Sequence, residues 1–245
     1  MLALLPERSS NAAGQMTLDY LLFEWMSKAE KGQGPVRLRR FIWPDQAVTF
    51  GVSQKWKQVQ EALAQWPGAA PADLCRRITG GGIVPHGQDL TWALLLPARH
   101  PLVEQPAPTI YRALHEVLRK ALGDQQEEVA LWEPEAPIDD PSEDRPKLRS
   151  QCFAGPEPGD LVWRADGRKL AGAAMKRGRK GLLWEGSLQK AGLQKTDEAL
   201  HEDFAHQLAS LLGEDAEQQS FPDWPPEAED EIQLHLTSDE WLKKR

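Results

Sequence analysis

Helical and strand-like apolar periodicities are mixed along this chain, without the regular strand–helix alternation of a doubly wound protein. Residues 14–32 and 108–123 carry apolar side chains at helical spacing, and glycine ends both segments. By contrast, DLTWALLLP (89–97) is typical of a largely buried strand, and residues 160–177 predict a hairpin that turns at an Asp-Gly pair. The mixture predicts an α+β fold.

Shorter segments follow the same mixed pattern. Strands are predicted at 36–43, 47–51, 72–79 and 181–189, and helices at 55–66, at 201–213 and in a short C-terminal segment capped by Ser238. Residues 133–150 are rich in proline and acidic side chains, and they are predicted to form a loop.

Composition restricts the function classes that the chain can belong to. The 245 residues carry a formal net charge of −8, which argues against a nucleic-acid-binding protein with a basic footprint. Charged residues make up 27% and apolar residues 40%, as in a globular protein, and no window approaches the ~20 apolar residues of a membrane span. Two cysteines give no disulfide framework, so a reducing cytoplasm is expected.

The stretch RRITGGGIVPHGQDLTW (76–92) places three consecutive glycines between an arginine pair and a histidine. Glycine permits backbone conformations that are closed to other residues, and it lets a ligand approach the main chain. The run could therefore form a tight turn or bulge, or it could present N–H groups to an anion or wall a narrow cavity. It matches neither the G-x-G-x-x-G dinucleotide motif nor a phosphate-binding P-loop.

Four segments together resemble the lipoate ligase and octanoyltransferase family, which shares its catalytic fold with biotin protein ligases. They are GQMTLDYLLF, FIWPDQAVTFGVSQKW, RRITGGGIVPHGQDLTW and GRKLAGAAMKRGRKGLLWEGSL, in the family's order, within a resemblance that covers about residues 14–212. The resemblance implies one catalytic domain over residues 1–245, with a mixed or antiparallel central sheet flanked by helices. It further implies a C-terminal helical tail at 213–245 and no accessory domain of the long-ligase kind.

The resemblance also implies a binding site for an octanoyl or lipoyl chain. In the family the glycine loop lies along the acyl chain in a narrow tunnel, so a bare backbone leaves room for the chain. Thr79 and Asp89 are expected to support the loop through hydrogen bonds, and His86 is expected to belong to the pocket rather than to act as the general base. The residues implied to bind the acyl group are Arg77, Thr79, Gly80, Gly81, Gly82, His86, Asp89, Gly172 and Ala173.

Two residues are implied to carry out the chemistry. Lys169 aligns with the family's lysine, whose ammonium can stabilise an oxyanion or lower the pKa of a nearby thiol. By itself, a lysine in a hairpin is a solvated charge whose loss is expected to cost little stability. Cys152, in SQCFAGPEPGDLVW, resembles the cysteine that carries the acyl group as a thioester in octanoyltransferases of Gram-positive bacteria. Cys75 lies within a predicted strand and is interpreted as structural.

Basic residues near Lys169 leave two interpretations open. They could form a solvated sheet edge, or a landing site for an acidic carrier domain or its phosphopantetheine arm. These residues are Arg168, Lys176, Arg177, Arg179 and Lys180. Three positions depart from the family pattern and leave the acyl donor and acceptor open: Ala173, Met175 and Glu185 stand where serine, glutamine and histidine are usual.

Three functions remain open from the sequence. The first is a transferase without metal or other cofactor, which moves an acyl group through Cys152 to a lysine of a lipoyl domain. Its donor would be an acyl carrier protein or an octanoylated or lipoylated carrier domain. The second is a lipoate ligase that uses ATP and Mg²⁺ and binds the lipoyl-adenylate through Lys169 and Arg77. The third is a non-catalytic protein that binds lipoyl or octanoyl groups. Cys152 favours the first.

Overall fold

The computed structural model describes residues 1–28, 33–66, 73–134 and 155–244. Over these residues the strands are β1 (Leu2–Leu4), β2 (Arg8–Ser9), β3 (Val36–Ile42), β4 (Ala47–Phe50), β5 (Leu74–Arg76), β6 (Ile83–His86), β7 (Asp89–Pro97), β8 (Val129–Leu131), β9 (Leu161–Trp163), β10 (Lys169–Gly178), β11 (Gly181–Gln189) and β12 (Ala216–Gln218). The helices are α1 (Ala12–Lys28), α2 (Trp56–Ala64), α3 (Pro101–Glu104), α4 (Ala107–Ala121), α5 (Asp197–Leu212), α6 (Glu227–Thr237) and α7 (Asp239–Leu242). In this part of the chain, none of the helices has the length and apolar character needed to cross a bilayer.

The described strands form one large mixed sheet and one small sheet. The large sheet has the order β12-β1-β3-β7-β11-β10-β9-β8, with β2 beside β3, and the small sheet has the order β5-β4-β6. From β3 to β8 along the large sheet each neighbouring pair is antiparallel, whereas β1 pairs in parallel with both β12 and β3. The predicted α+β fold with a mixed central sheet is therefore confirmed.

Strand β7 lies at the centre of the large sheet, and its alternating side chains enter two different cores. Trp92 and Leu94 pack in the core that includes residues of α4 and α5, while Ala93 and Leu95 pack in the core that includes residues of α1. Because both faces are covered, both sets of side chains are apolar, and the sequence shows a nearly continuous apolar run. The predicted buried strand at 89–97 matches the observed one.

Sequence periodicity does not predict β1 or β12, because three residues are too few to show alternation. β1 lies between β12 and β3, so the predicted helical tail also contributes an edge strand to the large sheet. The end of the tail packs beside β5. Arg76 Nη2 donates to the Leu242 carbonyl at 2.7 Å, and Trp241 Nε1 donates to the Arg76 carbonyl at 2.7 Å.

Candidate active site

A narrow cavity lies on the α1 face of the large sheet, beside the small sheet. Its wall comes from α1, from β3, β7, β10 and β11 of the large sheet, and from β4 and β6 of the small sheet. The exposed wall is mostly apolar, and polar groups occupy a few fixed positions, as an acyl chain requires. Four of the residues predicted to bind the acyl group contribute to it: Arg77, His86, Gly172 and Ala173.

Arg77 holds the glycine loop, residues 77–82 between β5 and β6, in its observed shape. Its Nη2 donates to the carbonyls of Gly80 at 2.7 Å and Gly82 at 3.0 Å, and its Nη1 donates to Thr49 Oγ1 at 3.2 Å. The loop carbonyls therefore point toward a buried guanidinium. Other contacts hold the loop as well, since Gln54 Nε2 donates to the Gly81 carbonyl at 3.0 Å and the Val52 N–H donates to the Thr79 carbonyl at 2.8 Å.

Two glycines permit this geometry, and sequence reasoning singled out one of them. Gly81 has φ +84°, a left-handed conformation, and a Cβ there would lie 2.8 Å from Arg77 Nη2. Gly51 lets the loop backbone pack directly against it, since a Cβ at Gly51 would overlap the carbonyls of Gly80 and Gly81. A Cβ at Gly81 would also be 3.5 Å from Ala174 Cβ, and Ala174 is part of the cavity wall. Arg77 and Val84 on either side of the three glycines line the cavity, whereas Gly80, Gly81 and Gly82 are not among the lining residues that the structure describes.

His86 is hydrogen-bonded at both ring nitrogens. Nδ1 lies 2.9 Å from Asp89 Oδ2, Nε2 lies 2.8 Å from Thr49 Oγ1, and Trp43 stacks on the ring with centroids 4.3 Å apart. Because Arg77 donates to Thr49 Oγ1, the Thr49 hydroxyl can donate to Nε2, and this assigns the Nδ1–H tautomer. The imidazole is therefore a fixed part of the wall.

Asp89 is the carboxylate that fixes His86. It also accepts hydrogen bonds from Ser187 Oγ at 2.6 Å and from Thr91 Oγ1 at 2.9 Å. Burial opposes its ionisation, but the neighbouring His86 imidazole and the hydrogen bonds from His86, Ser187 and Thr91 hold the pKa of Asp89 below its usual value. The group thus stays ionised and keeps one orientation at neutral pH.

Lys169 is buried beside the cavity and forms an ion pair with Asp160, a residue that sequence reasoning missed. Its Nζ lies 2.7 Å from Asp160 Oδ2, and the two side chains are 3% and 0% exposed. Tyr111 on α4 donates its hydroxyl to Asp160 Oδ1 and accepts the N–H of Ala173 at 2.9 Å. The expectation that Lys169 is a solvated lysine is wrong, because the side chain folds over Gly172 onto a buried carboxylate.

Gly172 makes room for this ion pair. A Cβ at that position would come within 2.5 Å of Lys169 Nζ and 3.1 Å of Asp160 Oδ1. Since Gly172 is also part of the cavity wall, the ammonium lies next to a wall residue. A cation at that place can stabilise negative charge that develops on a carbonyl oxygen at this part of the cavity.

The structure describes one of the two cysteines, Cys75. Cys152, predicted to carry the acyl group, lies outside the described residues. Cys75 on β5 is fully buried, and burial raises the pKa of its thiol to about 12. A thiol that stays protonated at neutral pH agrees with the structural role expected for Cys75.

The structure separates the five basic residues that are candidates for docking a carrier. Arg168 lies in the turn between β9 and β10, with its Nε 2.5 Å from Asp166 Oδ2. The other four, Lys176, Arg177, Arg179 and Lys180, lie at the opposite end of β10, around the turn into β11. At about 3.3 Å per strand residue, Arg177 is roughly 26 Å along the strand from Lys169. The five side chains therefore do not form one patch.

Two of the three departures from the family pattern lie at the cavity. Glu185 on β11 and Ala173 on β10 are part of its wall, whereas Met175 is half-buried and packs against the core that includes α4 and α5. Burial, followed by the negative charge of Asp19, raises the pKa of the Glu185 carboxyl to about 8. Thr79, at the start of the glycine triplet, donates its hydroxyl to this carboxyl group.

Comparison with known proteins places this site within a known family. The family model of the lipoyl protein ligase A/B catalytic domain matches residues 11–211. The chain belongs to that family. The Octanoyltransferase LipM of Exiguobacterium sp. is 30% identical over 206 residues, which cover 82% of this chain and 69% of that protein. The LipM of Staphylococcus aureus is 29% identical over 178 residues, which cover 71% of this chain and 60% of that protein.

Solved structures of family members share the fold at low sequence identity. A lipoate-protein ligase A bound with ATP superposes with a TM-score of 0.71 at 15% identity, covering 99% of both chains. A bi-partite lipoate protein ligase from Thermoplasma acidophilum superposes with a TM-score of 0.68 at 14% identity, covering 99% of this chain and 95% of that one. The chain spans 60% to 69% of the length of the two octanoyltransferases named above.

Proposed function

We propose that this chain is an octanoyltransferase of protein lipoylation, which moves an octanoyl group from a thioester donor to a lysine of a lipoyl domain. The observation that carries the proposal is the apolar cavity with the Lys169 ammonium next to Gly172 in its wall. Such a site combines a place for an acyl chain with a fixed positive charge for its carbonyl. The LipM octanoyltransferases among the relatives support the same function.

The proposed reaction consists of two acyl transfers through Cys152. The Cys152 thiolate attacks the carbonyl carbon of the octanoyl thioester, and the tetrahedral oxyanion collapses with loss of the donor thiolate, which takes up a proton. The octanoyl group is then held as a thioester on Cys152. The amine of the lipoyl-domain lysine attacks this thioester, loses a proton and releases the Cys152 thiolate. Neither transfer consumes ATP.

Lys169 has the proposed role of stabilising the oxyanion in both transfers. Asp160 accepts from Lys169, from Tyr111 and from the Glu157 N–H at 2.6 Å, so the ammonium is held in place before substrate binds. A preorganised donor of this kind contributes about 10²–10³ to the rate of an acyl transfer. Arg77 and His86 shape the wall and take no part in proton transfer in this proposal.

The proposed donor is an octanoylated acyl carrier protein or carrier domain, the proposed acceptor is a lipoyl domain, and the proposed location is the cytoplasm. The Thermoplasma acidophilum structure concerns a ligase together with its E2 lipoyl domain, which supports an acceptor of that class. Lys176 and Arg179 are exposed at the turn between β10 and β11, where an acidic carrier could bind.

Intact-mass spectrometry after mixing with octanoyl-acyl carrier protein tests the proposal. An octanoyl adduct is expected on Cys152, removable by hydroxylamine and absent in Cys152→Ser. An adduct that persists in Cys152→Ser, or that maps to Cys75, contradicts the thioester mechanism.

A second candidate function is ATP-dependent lipoate ligation, which the ATP-bound ligase of the same fold favours. The same protein is therefore also mixed with ATP, Mg²⁺ and lipoate. Formation of lipoyl-adenylate without any thioester would establish the ligase in place of the transferase. Octanoyl binding without either product would instead indicate a non-catalytic binding protein.

A further inference from the structure

Four residues form a row across the large sheet beneath helix α1. Arg39 on β3 is paired with Ala93 on β7, Ala93 with Glu185 on β11, and Glu185 with Ala174 on β10. Asp19 of α1 packs onto this row, and its Oδ1 accepts from Arg39 Nε at 2.7 Å. The small side chain of Ala93 between Arg39 and Glu185 leaves the space in which Asp19 contacts both.

The carboxyl groups of Asp19 and Glu185 are close neighbours, and each perturbs the ionisation of the other. Asp19 Oδ1 accepts from Arg39, and Glu185 Oε2 accepts from Thr79, so the oxygens that remain for a contact between them are Asp19 Oδ2 and Glu185 Oε1. Both atoms are buried, and within the described ranges no N–H or O–H group reaches either of them. Two carboxyl oxygens can share a hydrogen bond only if one of them carries a proton.

The surrounding charges place that proton on Glu185. Asp19 has a guanidinium at 2.7 Å, whereas Arg77 Nε is 3.8 Å from Glu185 Oε2, so Asp19 is the better-compensated carboxylate. Burial and the charge of Asp19 act in the same direction on Glu185, against Arg77 and Thr79. The other titratable groups around it are the Cys75 thiol on β5, which is protonated at neutral pH, and the His86 imidazole in the same cavity wall.

We propose that Glu185 and Asp19 share one proton, and that this protonated pair is a positioning element which keeps the glycine loop in the shape that forms the acyl cavity. The protonated Glu185 donates to Asp19 through Oε1 and accepts from Thr79 through Oε2. Arg77 then remains on the carbonyls of Gly80 and Gly82. The use of the cavity for an acyl chain rests on the proposed function, whereas the shared proton and the loop geometry do not.

Loss of the proton changes the partner of Arg77. Two ionised carboxylates in contact repel each other in a buried site, so Glu185 turns from Asp19 toward the guanidinium, which is 3.8 Å away. Arg77 thereby leaves the loop carbonyls, and the wall beside Ala174 loosens. Acyl binding is expected to be full at pH 7 and to weaken as pH rises through about 8, the pKa of the Glu185 carboxyl.

The test compares the wild type with Glu185→Gln at pH 7 and pH 9. Glutamine reproduces the protonated acid, since its amide donates to Asp19 and its carbonyl accepts from Thr79, and it cannot ionise. The probe is octanamide, an acyl ligand without a titratable group, and binding is measured by calorimetry. If binding requires the proton, the wild-type Kd is expected to be about tenfold weaker at pH 9, and the Glu185→Gln Kd is expected to stay unchanged.

Hydrogen exchange of the amides in residues 77–86 provides a readout that needs no ligand. The ratio of wild-type to Glu185→Gln exchange is expected to be near one at pH 7 and to rise several-fold at pH 9. Glu116→Gln is the matched control, because Glu116 pairs with Arg119 on the same helix and is not part of the cavity wall, and it should behave as the wild type.

The same pH dependence of Kd in the wild type and in Glu185→Gln overturns the proposal, as does an exchange ratio that stays constant. If neither protein binds octanamide at any pH, the proposed function fails, and the exchange ratio alone decides this proposal. A rising ratio then supports the shared proton, and a constant ratio rejects it.

Discussion

Two buried charged centres lie beside the same stretch of β10 and β11, and they are built in opposite ways. At the Lys169 centre a cation forms an ion pair with the Asp160 carboxylate. At the Glu185 centre two carboxyl groups face each other, and a proton is needed to satisfy them. The first centre is an ion pair beside the cavity wall, and the second is a pair of carboxyl groups that, in our proposal, share one proton. We infer that the first serves the chemistry and the second serves the shape of the cavity.

The largest expected effect comes from removing the cation of the Lys169 centre. Lys169→Met keeps most of the side-chain volume but leaves Asp160 as an unpaired buried carboxylate, which typically destabilises a protein by about 3–5 kcal/mol. The rate of octanoyl transfer is expected to fall by about 10²–10³ at the same time. Urea unfolding measures the first effect, and single-turnover mass spectrometry measures the second.

A second substitution separates stability from chemistry at this centre. In Lys169→Met with Asp160→Asn the buried charge is removed, so most of the lost stability should return while the transfer rate stays low. Recovery of activity together with stability would mean that the ammonium is needed only for folding, and the division between the two centres would no longer hold.

The next effect is expected from Gly172, where an added methyl group would displace the Lys169 ammonium. Gly172→Ala should reduce the transfer rate by more than tenfold, because the Cβ and Nζ cannot both occupy positions 2.5 Å apart. Gly178→Ala is the matched control on the same strand, since no atom lies within 4 Å of its added Cβ. Equal activity of the two folded variants would show that the position of the ammonium is unimportant.

The sequence predicts the glycine loop better than it predicts either charged centre, and the reason is chain distance. The loop motif is contiguous, so its residues can be recognised together. The Lys169 centre needs Tyr111 and Asp160, which are 49 residues apart, and the Glu185 centre reaches Thr79 across 106 residues. A lone aspartate or tyrosine gives no signal of such a pairing. Glu185 could be noticed because it departs from the family pattern, but its partner Asp19 could not.

The fold, like the site, can be predicted from sequence only where neighbouring residues in the chain carry the signal. The long strands at 89–97 and 181–189 and the helix at 108–123 could be predicted, because each contains enough residues to show its period. The short strands β1 and β12 exist because they pair with each other and with β3, and pairing partners are not visible in three residues. The burial of Lys169 cannot be predicted for a related reason, since a lysine that follows Asp-Gly-Arg in a hairpin is expected to be solvated until its carboxylate partner is known.

A smaller effect is expected at the glycine loop, which belongs to the Glu185 centre. Gly81→Ala must place a side chain at φ +84°, at a cost of roughly 1–2 kcal/mol, and must displace Arg77 Nη2. Gly80→Ala has no atom within 4 Å of its added Cβ and should change stability by less than about 0.5 kcal/mol. Transfer by Gly81→Ala is expected to fall about equally for butyryl and octanoyl donors, since the added Cβ meets Arg77. A loss confined to octanoyl donors would show that the glycine contacts the acyl chain itself.

The smallest effect is the change of the free energy of unfolding with pH, to which groups at the two centres should contribute in opposite directions. His115 lies behind the Lys169 centre and donates through Nδ1 to the Gly159 carbonyl at 2.8 Å. Burial lowers the pKa of His115 to about 4, and burial also lowers the pKa of His201 to about 4. Both imidazoles are therefore neutral in the folded protein where the unfolded chain is protonated. The stability that they contribute is present above pH 6.5 and is lost as pH falls toward 4.

Glu185 acts in reverse, because its raised pKa removes stability as pH rises from about 4.5 to about 8. The free energy of unfolding should thus be largest near pH 6.5, and lowering the pH from 7 to 5.5 should cost about 1 kcal/mol per histidine. His115→Asn keeps a donor for Gly159 and removes one of the two histidine contributions, so the acid limb should become nearly flat between about pH 4.5 and 6.5, where Glu185 offsets the remaining one. Glu185→Gln should steepen the acid limb and flatten the alkaline one. Thermal unfolding from pH 5 to pH 9 measures both limbs, and an acid limb unchanged in His115→Asn would remove His115 from this account.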